Sequence, residues 1–351
     1  MDKFEKISAM INDTPMLEIS LKYQGIKRKV YAKAEYYNFT GSIKDRIAYN
    51  ILKTSYEDNL IKKGDIIAEA SSGNTGIAFS AMGAYLGNPV HIFMPDWMSE
   101  ERKKLLGSYG ATIHLLSKED GGFKGSIESA DKFGAENKAF LPHQFSNFLN
   151  IETHYKTTGQ EIIRQITAFG KKPDGFTAGV GTGGTIMGVK NALKEIYPKC
   201  KAFPLEPSQS PAMSSGDIVS GFHRIDGIGD GMIPEIVKLE QLNNVICVDD
   251  GDAINMARQL ALELGIGVGI SSGANLIGSI KAQNILNNKD AVIVTVFPDD
   301  NKKYLSTELM NEQKEKSDYI SKDVEFIGFK AIKWDPSLRS GWQSGHYFEF
   351  T

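Results

Sequence analysis

The chain has 351 residues, with 40 Lys plus Arg against 43 Asp plus Glu, a net charge of −3 and 35 glycines. That length exceeds what one hydrophobic core ordinarily organises and points to two lobes of roughly 100–200 residues with a cleft between them, while the balanced charge gives no electrostatic basis for nucleic acid or an anionic membrane as partner. No stretch reaches the ~20 apolar residues of a membrane span, and the charged start at Asp2, Lys3, Glu5 and Lys6 does not read as a secretory signal.

In chain order, short β-branched runs alternate with longer amphipathic ones. Strands are expected over 65–69, 90–94, 111–116, 175–179, 202–206 and 291–297, with helices over 75–86, 99–109, 125–133, 186–196 and 253–264. This βα repetition predicts parallel strands with covering helices, in two α/β lobes. Cys200 and Cys247 lie far apart in apolar surroundings without metal-ligand spacing, so both are expected as buried thiols, no metal is expected, and a reducing cytoplasm fits. From Ser317 the composition changes: Tyr319, Phe326, Phe329, Trp334, Trp342, Tyr347, Phe348 and Phe350 stand on a polar background. That many aromatics predicts a tail packed on the body or on a second subunit.

Glycine makes up about a tenth of the chain against a usual ~7%, and it falls just after apolar runs, where tight turns around a ligand are built. Lys44 stands in Asn38-Phe39-Thr40-Gly41-Ser42-Ile43-Lys44-Asp45-Arg46, where Ser42 can cap a helix through Ile43, Ile47 and Ile51 and hold the lysine in its first turn. Alone, a lysine in a Lys-Asp-Arg run is far more often a solvated helix residue than a covalent catalyst. Three further clusters change that weight: Ser71-Ser72-Gly73-Asn74-Thr75-Gly76, Gly181-Thr182-Gly183-Gly184-Thr185, and Gly269-Ile270-Ser271-Ser272-Gly273-Ala274-Asn275. The second follows an apolar strand and opens a helix, so backbone N–H groups and two hydroxyls can converge on a dianionic phosphate. Without Lys44 it reads more readily as a plain βα turn; with Lys44 upstream the phosphate reading prevails.

Together with Lys44 these clusters resemble, in the same order, the cysteine synthase and cystathionine β-synthase family of pyridoxal phosphate enzymes, from Thr14-Pro15 to Tyr304-Leu305-Ser306-Thr307. The resemblance implies pyridoxal 5′-phosphate as cofactor and a tryptophan synthase β-like (fold type II) α/β architecture of two doubly wound open-sheet lobes. In that architecture residues 1–40 and 150–310 form a large phosphate-binding lobe, 41–149 a smaller mobile substrate lobe, and 311–351 a C-terminal extension. The resemblance also implies a homodimer and a small amino-acid substrate. It makes Lys44 the Schiff-base anchor and acid/base, puts Gly181, Thr182, Gly183, Gly184 and Thr185 on the phosphate, Asn74 on the ring hydroxyl, and Ser271 beside the pyridine nitrogen. Ser71, Ser72, Asn74, Thr75 and Gln144 would hold the substrate carboxylate. A neutral hydroxyl at the ring nitrogen favours β-elimination over reactions that need a long-lived carbanion.

One departure bears on the reaction. Where family members carry alanine or tyrosine at the fourth place of a glycine loop, this chain reads Gly227-Ile228-Gly229-Asp230-Gly231-Met232-Ile233-Pro234. Asp-Gly in a loop is ordinarily turn chemistry. If Asp230 instead faces the substrate, its carboxylate repels hydrosulfide and either takes a proton from water or a thiol or binds the ammonium group of a second amino acid. Phe39, Asn147-Phe148-Leu149-Asn150 and Pro298-Asp299-Asp300-Asn301 also depart from the family pattern. The expected reaction is β-replacement on L-cysteine through an α-aminoacrylate, releasing hydrogen sulfide and giving L-serine, or a thioether such as lanthionine if a thiol adds. The alternatives are an ordinary cysteine synthase using O-acetylserine and sulfide, and a non-catalytic relative that binds a partner such as serine acetyltransferase. Intact Lys44, phosphate loop and Ser271 argue against the last.

Overall fold

A two-residue turn at Gln24-Gly25, both with positive φ (51° and 76°), reverses the chain between β1 (Met16–Tyr23) and β2 (Ile26–Ala34), the backbone twist that a tight hairpin requires. The computed structural model describes residues 3–216 and 221–333. Its strands continue with β3 (Ile67–Ala70), β4 (Val90–Pro95), β5 (Thr112–Leu116), β6 (Gly175–Gly179), β7 (Lys201–Pro207), β8 (Ile246–Val248), β9 (Ile293–Phe297) and β10 (Val324–Ile332). Seven form one sheet in the order β10-β1-β2-β9-β6-β7-β8, and β3-β4-β5 form a second.

The small sheet is wholly parallel, as the βα alternation predicts. The large one is mixed: β2, β9, β6, β7 and β8 run parallel, but β1 is antiparallel to both β2 and β10. That hairpin and edge strand are the part of the sheet the βα pattern does not announce. All five residues of β9 are buried, a continuous apolar strand that needs cover on both faces. Helices Asp250–Leu264 and Ile270–Ile285 supply one cover, through Ala253, Ile254, Ala257, Leu276, Ile277 and Ile280. Helices Gln160–Ala168 and Gly184–Ile196 supply the other, through Ile162, Ile166, Ile186, Val189 and Leu193. At the small sheet, Ala48, Ile51 and Leu52 of helix Lys44–Glu57 pack with Ile77, Phe79 and Met82 of helix Asn74–Leu86. Each such large side chain contributes about 1.5–3 kcal/mol on burial.

β10 pairs with β1 from Val324 opposite Tyr23 to Ile332 opposite Met16, with a bulge that leaves Ile327 unpaired. The first aromatics of the tail behave differently from one another. Tyr319 is buried and Phe326 packs on the large core, but Phe329 is 44% exposed, because on the edge strand it points away from the body. Trp334, Trp342, Tyr347, Phe348 and Phe350 lie outside the described residues. Cys200 is buried as expected, whereas Cys247 is only half-buried, beside Glu206 and Ser214 on the short outer strand β8. Among the described residues, no helix is long and apolar enough to cross a membrane.

Candidate active site

Lys44 is the first residue of its helix. The N-cap is Ile43 and not Ser42 as expected, and it makes no side-chain cap bond; the turn is held from just outside, where Ser42 Oγ accepts the Lys44 backbone N–H at 3.3 Å and the Asp45 carboxylate reaches back to the Thr40 N–H and hydroxyl at 2.8 and 2.6 Å. Two residues on, the fully buried Arg46 pairs with Glu35 and Glu161, each at 2.6 Å, and Lys33 completes the group on Glu161 at 2.6 Å. Two cations balance two carboxylates, which is the condition for burying charge at all. The turn that presents Lys44 is therefore held by these bonds and the ion network together.

The Lys44 amine projects into a cavity of about 770 Å³, part of it open to solvent, at the ends of β3, β6 and β9. Its Nζ donates to Thr182 Oγ1 at 3.4 Å. Burial brings its pKa down from 10.5 to about 8, opposed by Asp230. β6 ends into Gly181-Thr182-Gly183, with Gly183 at φ 88°, and the helix starts at Gly184. Its first N–H groups and the hydroxyls of Thr182 and Thr185 form an anion cradle.

Ser71 and Ser72 precede helix Asn74–Leu86. Ser71 Oγ accepts from the N–H groups of Gly73 and Gly76 at 3.1 and 2.9 Å, so its oxygen is occupied as a helix cap and only its hydrogen remains for a ligand. Thr75 Oγ1 donates to Gln144 Oε1 at 2.6 Å, and Gln144 Nε2 donates to the Ala70 carbonyl at 2.7 Å. Asn74 is fixed on both sides, donating to Asp299 Oδ2 at 2.8 Å and accepting from Lys303 Nζ at 3.0 Å. Ser271 lines the opposite wall in the first turn of helix Ile270–Ile285, 4% exposed.

Asp230 also lines the cavity, and is not a solvated turn residue. Burial raises its pKa above the usual carboxylate value, offset by His223 and Lys44. Among the residues singled out from sequence, Lys44, Ser71, Ser72, Asn74, Thr75, Gln144, Gly181, Thr182, Gly183, Thr185, Asp230 and Ser271 all line this one cavity. Gly184 stands behind its wall, where a Cβ would lie 1.8 Å from Asn150 Oδ1.

Sequence reasoning misses several partners. Asn150 Nδ2 donates to Thr182 Oγ1 at 2.9 Å, and His154 Nε2 lies 3.2 Å from Thr185 Oγ1. Burial and the nearby Lys44 and Arg46 push the His154 pKa well below its ordinary value. In the tautomer that carries its proton on Nε2, His154 donates to Thr185 and leaves that hydroxyl free to donate to an anion. Asp299, Arg102 and Asp226 are missed too; of these, Asp299 lies in the segment whose next two residues, Asp300 and Asn301, depart from the family pattern. A basic amine, an anion cradle at a helix start and a buried hydroxyl wall, lining one cavity, fit pyridoxal phosphate.

The chain belongs to the pyridoxal-phosphate dependent enzyme family, which matches residues 7–299. It is a cysteine synthase-like enzyme of that family and uses pyridoxal phosphate. It is 39% identical over 305 residues to a cysteine synthase from Staphylococcus aureus, covering 87% of this chain and 96% of that one. It is also similar to a hydrogen sulfide-producing enzyme from Fusobacterium nucleatum, with 55% identity and a TM-score of 0.91, over 95% of this chain and 99% of that chain. A crystal structure of an Asp-to-Asn variant of that enzyme, in complex with an α-aminoacrylate intermediate, matches at TM-score 0.92 and 54% identity, over 95% of this chain and all of the other.

Proposed function

We propose that this enzyme converts L-cysteine and water into L-serine and hydrogen sulfide. The observation that carries the reading is Asp230, a carboxylate that lines the cavity, interacts with Lys44 and makes no side-chain hydrogen bond among the described residues. A general base needs a free lone pair within reach of the proton it takes. The similar hydrogen sulfide-producing enzyme supports the same direction.

In this reading the phosphate is held by the Gly181–Thr185 segment and its helix N-terminus, the pyridine nitrogen faces Ser271, and Asn74 faces the ring hydroxyl. The substrate carboxylate is received by the Ser71 hydrogen, Ser72, the Thr75 backbone N–H at the helix start and the remaining amide hydrogen of Gln144. Bound pyridoxal phosphate supplies an electron sink, which weakens the substrate Cα–H bond and lets the β-substituent leave. Lys44 Nζ takes the α-proton and returns it. Sulfur leaves first with its own proton as hydrosulfide; Asp230 then takes one proton from water as the water oxygen bonds to the substrate β-carbon, and passes that proton through solvent to the hydrosulfide, which completes hydrogen sulfide and regenerates the carboxylate. A carboxylate at this place also disfavours approach of hydrosulfide, which opposes the reverse reaction. Residues 41–149, which carry the small sheet, act here as the lobe that closes over the substrate. A homodimer and a cytoplasmic site of action belong to the same reading; sedimentation checks the first, fractionation of cells the second.

The similar S. aureus cysteine synthase favours a second reading, synthesis of cysteine from O-acetylserine and sulfide. Purified protein is incubated with L-cysteine alone, and sulfide and the amino-acid product are quantified beside an O-acetylserine plus sulfide reaction. Equal amounts of serine and sulfide support cysteine hydration; lanthionine in place of serine identifies a thiol as the nucleophile. Cysteine formed from O-acetylserine with no serine from cysteine overturns the proposal in favour of the synthase.

A further inference from the structure

We propose that the Arg102–Asp226 ion pair positions Asp230, by tying the loop that carries this base to the loop that receives the substrate carboxylate. The inference rests on the hydration reading above and names what aims its base. Asp230 makes no side-chain hydrogen bond among the described residues, so its place is set by the backbone around it. That backbone is flanked by Gly229 and Gly231, both with positive φ (71° and 78°), the residue type with the widest conformational freedom. A carboxylate on such a hinge points wherever the loop's anchors send it.

The anchors come from two directions. On the side of the large sheet, the Gly229 N–H donates to the Val180 carbonyl at 3.0 Å, and the Gly229 carbonyl accepts from Ser210 Oγ at 3.0 Å and His223 Nε2 at 2.9 Å. From across the cleft comes Arg102, whose Nη1 is 2.6 Å from Asp226 Oδ2. Arg102 is itself immobilised. It is 1% exposed, its guanidinium lies over the Tyr304 ring at 4.8 Å, and its chain presses on Gly73 so closely that a Cβ there would stand 2.5 Å from Arg102 Cδ. The same Nη1 lies 3.4 Å from the Ser72 carbonyl. One guanidinium thus touches the carboxylate-binding loop on one side and the base-bearing loop on the other.

An ion pair that only stabilised the fold would weaken every step alike. A positioning pair acts on the step that uses Asp230. The test uses holoenzyme mixed with excess L-cysteine and quenched at short times, with sulfide from the first turnover measured separately from serine formed in the steady state. Asp226→Asn is expected to load cofactor with unchanged visible absorbance and to keep first-turnover sulfide release within about threefold, while serine formation falls at least ~10-fold, the scale on which small misplacement of a reacting group acts. Asp226→Glu should restore part of the serine rate. Arg102→Lys, which keeps the charge but loses the planar fork, should give the same imbalance and carries the comparison if Asp226→Asn fails to fold. Equal losses in both phases, or an unchanged serine rate, overturn the positioning role while leaving the hydration reading intact. A wild-type protein that releases sulfide without forming serine overturns both.

Discussion

Asn150 Nδ2 donates to the Gln144 carbonyl at 3.0 Å and to Thr182 Oγ1 at 2.9 Å. One buried amide therefore joins the segment proposed to meet the substrate carboxylate to the segment proposed to meet the phosphate. Asn150→Ala leaves two buried acceptors without their donor, at about 1–3 kcal/mol. Cofactor retention, measured by dialysis and visible absorbance, is expected to weaken roughly 5- to 150-fold, with a parallel rise in KM for cysteine.

Asp230 works as a base only when ionised. Burial raises its pKa above the usual carboxylate range, with His223 and Lys44 opposing. Serine formation should therefore be present above this raised value and fall as pH drops through it. Asp230→Asn should lower serine formation by about 10²–10⁴-fold, the usual weight of a general base, and abolish that acid limb. A variant that retained the limb would assign it to another group.

Lys44 can bond to the cofactor aldehyde only as the neutral amine. With a pKa near 8 in place of 10.5, the rate of cofactor uptake by the apoenzyme should climb with pH and level off just above 8. A rate still climbing tenfold per pH unit at pH 9–10, as an unperturbed lysine gives, would show that the amine is not desolvated before the cofactor binds.

The Glu161 carboxyl would be raised by burial, but Arg46 and Lys33 beside it hold it well below the usual carboxylate range. Because this folded-state pKa is depressed, its stabilising contribution is present above the unfolded value and is lost as pH falls towards the folded one. Arg46→Ala leaves two buried carboxylates facing Lys33 alone. Unfolding in urea at pH 7 should show a loss of about 3–5 kcal/mol, narrowing as the pH is lowered below the usual carboxylate range.

A chain ended at Lys316 loses β10 and the Tyr319 hydroxyl, which donates to Asp249 Oδ1 at 2.6 Å, beside the cap that Asp249 provides for helix Asp250–Leu264. It also leaves β1 as an edge strand. Light scattering should show aggregation at a temperature several degrees below that of the full chain; equal onset would mean that β10 is dispensable.

What the sequence discloses and what it withholds follow from the distance over which each contact acts. Lys44, the Gly181–Thr185 segment and the Ser71–Gly76 segment are legible because cap, turn and helix start lie within a few residues of one another. Asp230 is visible as a departure, though as a sequence letter it is equally a turn residue. Asn150, His154 and Asp226 matter through partners 31 to 124 residues away, and local pattern carries no trace of that. Arg102 sits in Met98-Ser99-Glu100-Glu101-Arg102, where its charge suggests solvent, but in the fold it turns inward over Tyr304. Lys33 and Glu35 mislead in the same way, since charged residues beside a strand read as exposed until Arg46 and Glu161 are brought to meet them.

The loop around Asp230 is fastened by its neighbours, Gly229 through its own backbone and Asp226 through Arg102. The side chain at 230 is thereby excused from holding anything together, and exchanging it leaves each fastening in place. Chemistry and architecture are uncoupled at this position: a set of variants differing only there would compare incoming nucleophiles on a constant frame, as a socket accepts different tools.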